Sequence, residues 1–308
     1  MRLSELPLYD ELPELGQLKI RHSWGHLPME KGTLAFIDTE QVLDGASLVV
    51  SGKAVPLNLG VNAFDPPLFG RDPIEHAVVE TSRNEAEDVI GRFNPQASSQ
   101  LDGLGHVRAR EYGYYGGITD LDEARKRLGM HHWATSGIVG RGVLLDVARF
   151  RAERDGASDP FSGFGYTPAL LRETAQWAGV ELRAGDVLLV RTGWVEAYLA
   201  LNAADRQATL GWDGLHAGEA TARFLWDARI ALVGSDNPAV ENGPGDPQAG
   251  SLHRRLLPSL GMSLMELLDL KMLGEQCRAQ EKWEFQFVAV PLNLPGAVSS
   301  PANAMAIL

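Results

Sequence analysis

Apolar and polar positions change period several times along this chain, and each change marks an element. Trp283, Phe285, Phe287 and Ala289 alternate with Glu284, Gln286, Val288 and Val290, the period of a half-buried strand. Residues 186–191 and 230–234 are short apolar runs that read as buried strands, and 143–147 reads as another. Thr167 followed by Pro168 is a helix start, with the threonine as N-cap and the proline at the first helical position. That helix should end at Gly179. Further helices are expected over 39–50, capped by Asp38 or Thr39, and over 217–228, 251–260 and 264–280. A short strand is expected over 54–59 and a loop over 60–84, long enough for a lid. Residues 87–93 lead into a further strand, and the Pro/Gly-rich stretch 239–250 reads as a surface loop. Residues 1–30 are irregular and suited to wrap the body or reach a neighbouring subunit. No repeat, low-complexity tract or linker divides the rest, so the expectation is one α/β or α+β domain over 1–308.

Composition narrows the function classes more than the fold. A balance of 44% hydrophobic and 22% charged residues is that of a soluble globular chain. The net charge of −12 argues against nucleic acid and anionic membranes, and favours a neutral or locally guided small-molecule ligand. Cys277 is the single cysteine, so no internal disulfide framework exists and a reducing compartment is suited. The first fifteen residues lack the basic start and apolar core of a signal peptide, and no run approaches ~20 apolar residues. A cytoplasmic protein is expected.

Candidate chemistry concentrates between residues 96 and 106. Ala97, Ser98, Ser99, Gly103 and Gly105 let backbone and ligand approach closely, while Gln96, Gln100 and Asp102 alternate as on one strand face. Asp102 is a hard oxygen donor, and His106 can hold or pass a proton near neutral pH. The competing reading is a polar turn capped by Asp102. His253 before two arginines and Glu266 in a helix-like run complete a set of two carboxylates and two imidazoles. Taken alone, each of the latter two also reads as a solvated surface residue. Tyr112, Tyr114 and Tyr115 could wall an aromatic pocket or pack at an edge, and Trp24 is a further candidate wall. Other candidates carry less. His131 and His132 are adjacent, so their side chains diverge, and His216 near Glu219 reads as an exposed first-turn residue. Asp236 follows a buried strand, a place favoured by function, but also fits an ordinary turn. The glycines between 137 and 142 precede a strand rather than a helix, which disfavours a phosphate loop, and there is no Gly-x-Ser-x-Gly.

The 96–106 run resembles the signature of the cyclase family of metal-dependent hydrolases, which includes bacterial kynurenine formamidase and isatin hydrolase. That signature reads His-x-Gly-Thr-His-x-Asp-x-Pro-x-His; its aspartate falls on Asp102 and its last histidine on His106, while Gln96 and Gln100 replace two histidines. Ser23, Trp24 and Gly25, the runs 137–146 and 185–191, Leu252 with His253, residues 266–270 and the closing 291–296 resemble a bacterial and fungal subgroup in order. The resemblance implies a swivelling β/β/α fold with a barrel-like mixed sheet surrounded by helices, and a homodimer or homotetramer. It also implies metal ligation at Asp102, His253 and Glu266, with His106 as acid/base.

The glutamines alter that expectation. An amide oxygen is a weaker donor than imidazole, so a two-metal zinc site is disfavoured. One divalent ion held by Asp102, His253 and Glu266, helped by Gln100, is the remaining arrangement, with an oxygen-rich set that leans to Mn²⁺ or Mg²⁺ and admits Zn²⁺. Gln96 and Gln100 could instead bind substrate. The expected reaction is hydrolysis of an amide, cyclic amide or lactone by activated water, with Trp24, Tyr114 and Tyr115 towards the substrate's apolar part. Two alternatives stand beside it: a metal-free cyclase or dehydratase using His106 and Glu266, and a binding protein whose site has decayed.

Overall fold

The alternation of apolar positions is resolved by a nine-stranded mixed sheet. In this computed structural model, residues 3–156, 158–209 and 211–308 are described. The strands are β1 (Ala54–Pro56), β2 (Gln100–Asp102), β3 (Ile138–Asp146), β4 (Val187–Arg191), β5 (Leu232–Ser235), β6 (Ser263–Glu266), β7 (Glu284–Ala289), β8 (Ser299–Pro301) and β9 (Ala304–Ile307). They lie in the order β8-β2-β6-β5-β4-β3-β7-β9-β1 and curl into a half-barrel. The centre, β3-β4-β5-β6, is parallel, and the flanking pairs are antiparallel. A parallel centre must be covered on both faces, and it is. Val143, Leu145, Leu188, Val190, Val233 and Leu264 face one apolar cluster, shared with helices Pro168–Ala178 and Glu219–Asp227. Leu144, Leu189, Leu232 and Met265 face the other, shared with helix Lys271–Gln280 and its buried Cys277.

Local chemistry sets most boundaries as expected. Asp38 caps the helix Thr39–Ser47 by accepting from the Glu40 amide at 2.8 Å. Thr167 caps Pro168–Ala178, and Gly179, in the left-handed region at φ 66°, closes it. Strand β7 alternates in burial, with Phe285, Phe287 and Ala289 inward. The N-terminal arm packs on its own body: Tyr9 is buried, its amide donates to Asp227, and Arg229 donates to the carbonyls of Leu6 and Pro7. No helix among the described residues is long and apolar enough to cross a membrane.

Three stretches differ from the sequence reading. The continuous helix expected over 264–280 is a strand, Ser263–Glu266, followed by a separate helix from Lys271. Its run of leucines and methionines suits either state, and the vacant place between β2 and β5 selects the strand. The helix expected over 251–260 is one short turn, Leu252–Arg254, and then a wide π-turn, Arg255–Leu260, around Pro258. Within the loop expected over 60–84, and beyond it, Glu75–Ser82 and Glu85–Arg92 pair as a fully exposed hairpin.

Candidate metal centre

Strand register places the polar groups. β2 and β6 run antiparallel with Glu266 opposite Gln100 and Leu264 opposite Asp102. With a side-chain period of two, Gln100, Asp102 and Glu266 therefore share one face. All three are buried, at 0%, 1% and 2% exposure. Gly103 sits under Met130 and the Val298 carbonyl, where a Cβ would lie 2.9 Å from that oxygen, so the turn after Asp102 tolerates no side chain. His253 reaches the same place from the short helix after the 239–250 loop, where Ser251 caps the turn. One donor atom each from Asp102, His253 and Glu266 lie within 4.8 Å of one another.

The hydrogen bonds show what the glutamines do. Gln96 Nε2 donates to Asp102 Oδ1 at 2.7 Å, and Gln100 Nε2 donates to Glu266 Oε2. Each glutamine thus holds one carboxylate oxygen. Because an amide nitrogen must face the carboxylate, Gln100 Oε1 is turned away from it. Gln100 Oε1, Asp102 Oδ2 and Glu266 Oε1 are all buried without a hydrogen-bond partner. His253 Nε2 lies 2.9 Å from Glu266 Oε1, a close ion contact that does not satisfy hydrogen-bond geometry at that oxygen. Buried acceptors left without donors are costly, and a cation is the group that satisfies several together. The donor set fits a divalent ion: two carboxylates and one imidazole.

Electrostatics point the same way. Burial, and then the Asp102 charge, push Glu266 up to about 7, against lowering by His253 and Arg71. Burial lowers His253, but Glu241 and Glu266 outweigh it and raise the imidazole well above its ordinary value. Protons thus occupy the role of the cation in the metal-free protein, and an ion entering the site must displace them.

Glu241 was not singled out by the sequence reading. It accepts from His253 Nδ1 at 2.8 Å and from the Leu252 amide, fixing the tautomer that leaves His253 Nε2 facing Glu266. It sits in the stretch read as a surface loop, and its only signal was a carboxylate placed among prolines and glycines. His106 is partly exposed, with Nε2 3.7 Å from Asp102 Oδ2 and 3.3 Å from Gln96 Nε2. It stands at the solvent side of the buried carboxylates.

The remaining candidates lie as follows. Tyr115 is buried, with its hydroxyl 3.3 Å from the Ser23 hydroxyl, and Trp24 Nε1 donates to the Pro258 carbonyl. Tyr114 lies under the Arg108 guanidinium. No hydrogen bond joins these three to the Asp102 cluster among the described residues. The side chains of His131 and His132, expected to diverge, instead bring their rings to 4.0 Å at a tilt of 36°, because each is tied locally: His131 accepts from the Gly296 amide and His132 bonds the Lys126 carbonyl. His216 accepts from the Gly218 amide. Asp236 is consumed by structure: its carboxylate accepts from Thr192 N, Thr192 Oγ1 and Gly193 N.

Comparison with known proteins agrees with this fold. The family profile described as "Putative cyclase" matches residues 47–242, more than half of the chain. No curated protein matches it significantly. A solved structure described as a novel cyclase is 29% identical, with a TM-score of 0.84 over 96% of this chain and 100% of its own. Isatin hydrolase A from Labrenzia aggregata is 19% identical, with a TM-score of 0.55 over 87% of this chain and 97% of its own. A potential metal-dependent hydrolase with cyclase activity is 19% identical, with a TM-score of 0.50 over 82% of this chain and 98% of its own. The last two share the fold. Matched in profile and in structure over most of its length, this chain belongs to the cyclase family.

Proposed function

We propose that this protein is a metal-dependent hydrolase that opens an amide, cyclic amide or lactone bond in a small organic molecule. The observation that carries the reading is the buried convergence of Asp102, His253 and Glu266, with Asp102 Oδ2 lacking a hydrogen bond and Glu266 Oε1 met only by His253. Asp102, His253 and Glu266 would hold one ion, while Gln100, whose amide nitrogen faces Glu266, acts as a clamp on that carboxylate rather than as the fourth donor expected from the sequence. The oxygen-rich set favours Mn²⁺ over Zn²⁺. When bound, such an ion polarises a carbonyl and lowers the pKa of water.

The chain's own residues supply the rest. Gln96 and Gln100 fix the two carboxylates from behind, so neither rotates when charge changes. Glu241 fixes His253 in the same way. His106, at the solvent side of Asp102, is placed to take a proton at an imidazole nitrogen from the attacking water and return it to the leaving nitrogen or oxygen. The test is hydrolysis of a panel of aromatic amides, cyclic amides and lactones by Mn²⁺-loaded and chelator-stripped protein. Turnover that needs the ion and fails in His106→Ala supports the reading; turnover indifferent to chelation refutes it.

A further inference from the structure

The cationic side of the site belongs to a residue outside the metal cluster. Arg71 Nη1 donates to the Gln96 carbonyl at 2.6 Å, and Gln96 in turn holds Asp102. A guanidinium carries five donors in a fork that matches a carboxylate. At three interior positions that fork is filled by carboxylates, Arg141 meeting Asp186 and Glu284, Arg191 meeting Asp146 and Glu196, and Arg151 meeting Asp213, whereas buried Arg229 is held by three backbone carbonyls. Arg71 is half-buried, yet no carboxylate lies within 4.0 Å of it among the described residues, and the Gln96 carbonyl is its one polar partner there.

The turn that carries Arg71 has a second unusual feature. Phe69 holds φ 59°, ψ 26°, the left-handed region that a bulky residue adopts only with strain. It nevertheless remains 59% exposed, so burial of its ring does not explain the conformation. Its ring lies under the Arg71 guanidinium at 5.2 Å and meets Trp212 edge-on at 6.1 Å. Trp212 Nε1 donates to the carbonyl of Glu241, whose side chain holds His253. An exposed Phe69, a half-buried Trp212 and an unfilled guanidinium thus lie side by side and reach the metal cluster by two routes, Arg71 through Gln96 and Trp212 through Glu241.

We infer that Arg71 is a specificity-determining residue that pairs with a free carboxylate on the substrate, while Phe69 and Trp212 take the adjoining aromatic or apolar group. This deepens the hydrolase reading and rests on it for the reaction: the substrate class becomes an amide or lactone that carries a carboxylate. It also answers how an acidic chain draws an acidic ligand, by one local cation rather than by its overall field. The competing role, in which Arg71 only offsets the charges of Asp102 and Glu266, predicts no discrimination between acidic and neutral ligands.

Calorimetric titration of benzoate and of benzamide, a matched pair differing in charge, separates the two. Both are titrated into Mn²⁺-loaded and into chelator-stripped protein, as wild type, Arg71→Met and Arg71→Lys, with metal content and melting temperature recorded for each. The expected result is a benzoate preference in wild type, at least a tenfold loss of benzoate affinity in Arg71→Met, partial recovery in Arg71→Lys, and unchanged benzamide. Equal benzoate affinity in wild type and Arg71→Met overturns the inference, as does wild type without a benzoate preference, or a parallel loss of both ligands. A protein that takes up no metal but keeps the Arg71-dependent preference refutes the hydrolase reading alone.

Discussion

Two buried groups of charge sit on the same sheet and are solved in opposite ways. At one, Arg141 on β3 places Nη1 2.7 Å from each oxygen of Asp186 and reaches Glu284 as well, while the Arg183 amide also donates to Asp186. At the other, Asp102 and Glu266 converge with no arginine in contact among the described residues; a glutamine holds one oxygen of each, and the other oxygens have only the imidazoles of His106 and His253 near them. Burial raises both Asp186 and Glu266, but the Arg141 charge opposes it at the first, whereas at the second the next contribution, the Asp102 charge, adds to it. The first group is complete and holds strands together. The second has imidazoles where the first has a guanidinium, and it keeps buried oxygens without hydrogen bonds, a deficit that a folded chain holds where something else supplies the charge.

Breaking the comparison begins with the groups expected to matter most. His106→Ala should lower turnover of a hydrolysed substrate by about 10²–10⁴-fold while leaving metal content unchanged, because the imidazole moves protons and stands outside the ligand trio. Steady-state kinetics with parallel elemental analysis checks this. Arg141→Met should destabilise the fold by roughly 3–5 kcal/mol, since it strands Asp186 in the interior. Denaturant melts would show that loss, and metal affinity measured well below the new midpoint should be unaltered. The two groups would then be separable, one structural and one functional.

Smaller effects sharpen the contrast. Glu241→Gln should weaken metal affinity by about 10- to 100-fold, the usual penalty for loosening a histidine that binds a metal. A competitive chelator titration would read that directly. The pH dependence carries the opposite sign from an ordinary acid-labile carboxylate. Glu266, raised to about 7 from 4.5, binds more protons when folded than when unfolded between those values. Its contribution in the metal-free protein is therefore fully present below pH 4.5 and lost as pH rises through about 7. Metal uptake needs that same proton gone, so affinity should climb over this window and level off above it. Stability of the metal-free protein that instead rises between pH 5 and 7 on account of Glu266, judged against Glu266→Gln, would contradict the shift.

Much of this was legible before any coordinates. The caps at Asp38 and Thr167, the strand of alternating phenylalanines and the family signature around Asp102 and His106 are local patterns with local causes. The placement of Glu266 was less so. Leucine and methionine runs suit a helix as well as a strand, and only the gap between β2 and β5 decides. The same pairing gives Gln100 its role: opposite Glu266, it becomes a clamp on a carboxylate, which spacing along one strand does not show. Glu241 and Arg71 were invisible for a related reason. Both lie in irregular stretches, where no period marks a buried or converging side chain, and their roles come from residues more than ten positions away.

The central claim is that the partnerless oxygens belong to an ion. Elemental analysis of gently purified wild type beside an Asp102→Ala, Glu266→Ala double variant tests it most directly. Near-stoichiometric Mn, Mg or Zn in the wild type, absent from a variant that melts at or above the wild-type temperature after chelation, is the predicted result. A wild type that stays empty after soaking in each ion, or a double variant that keeps its metal, would contradict the account.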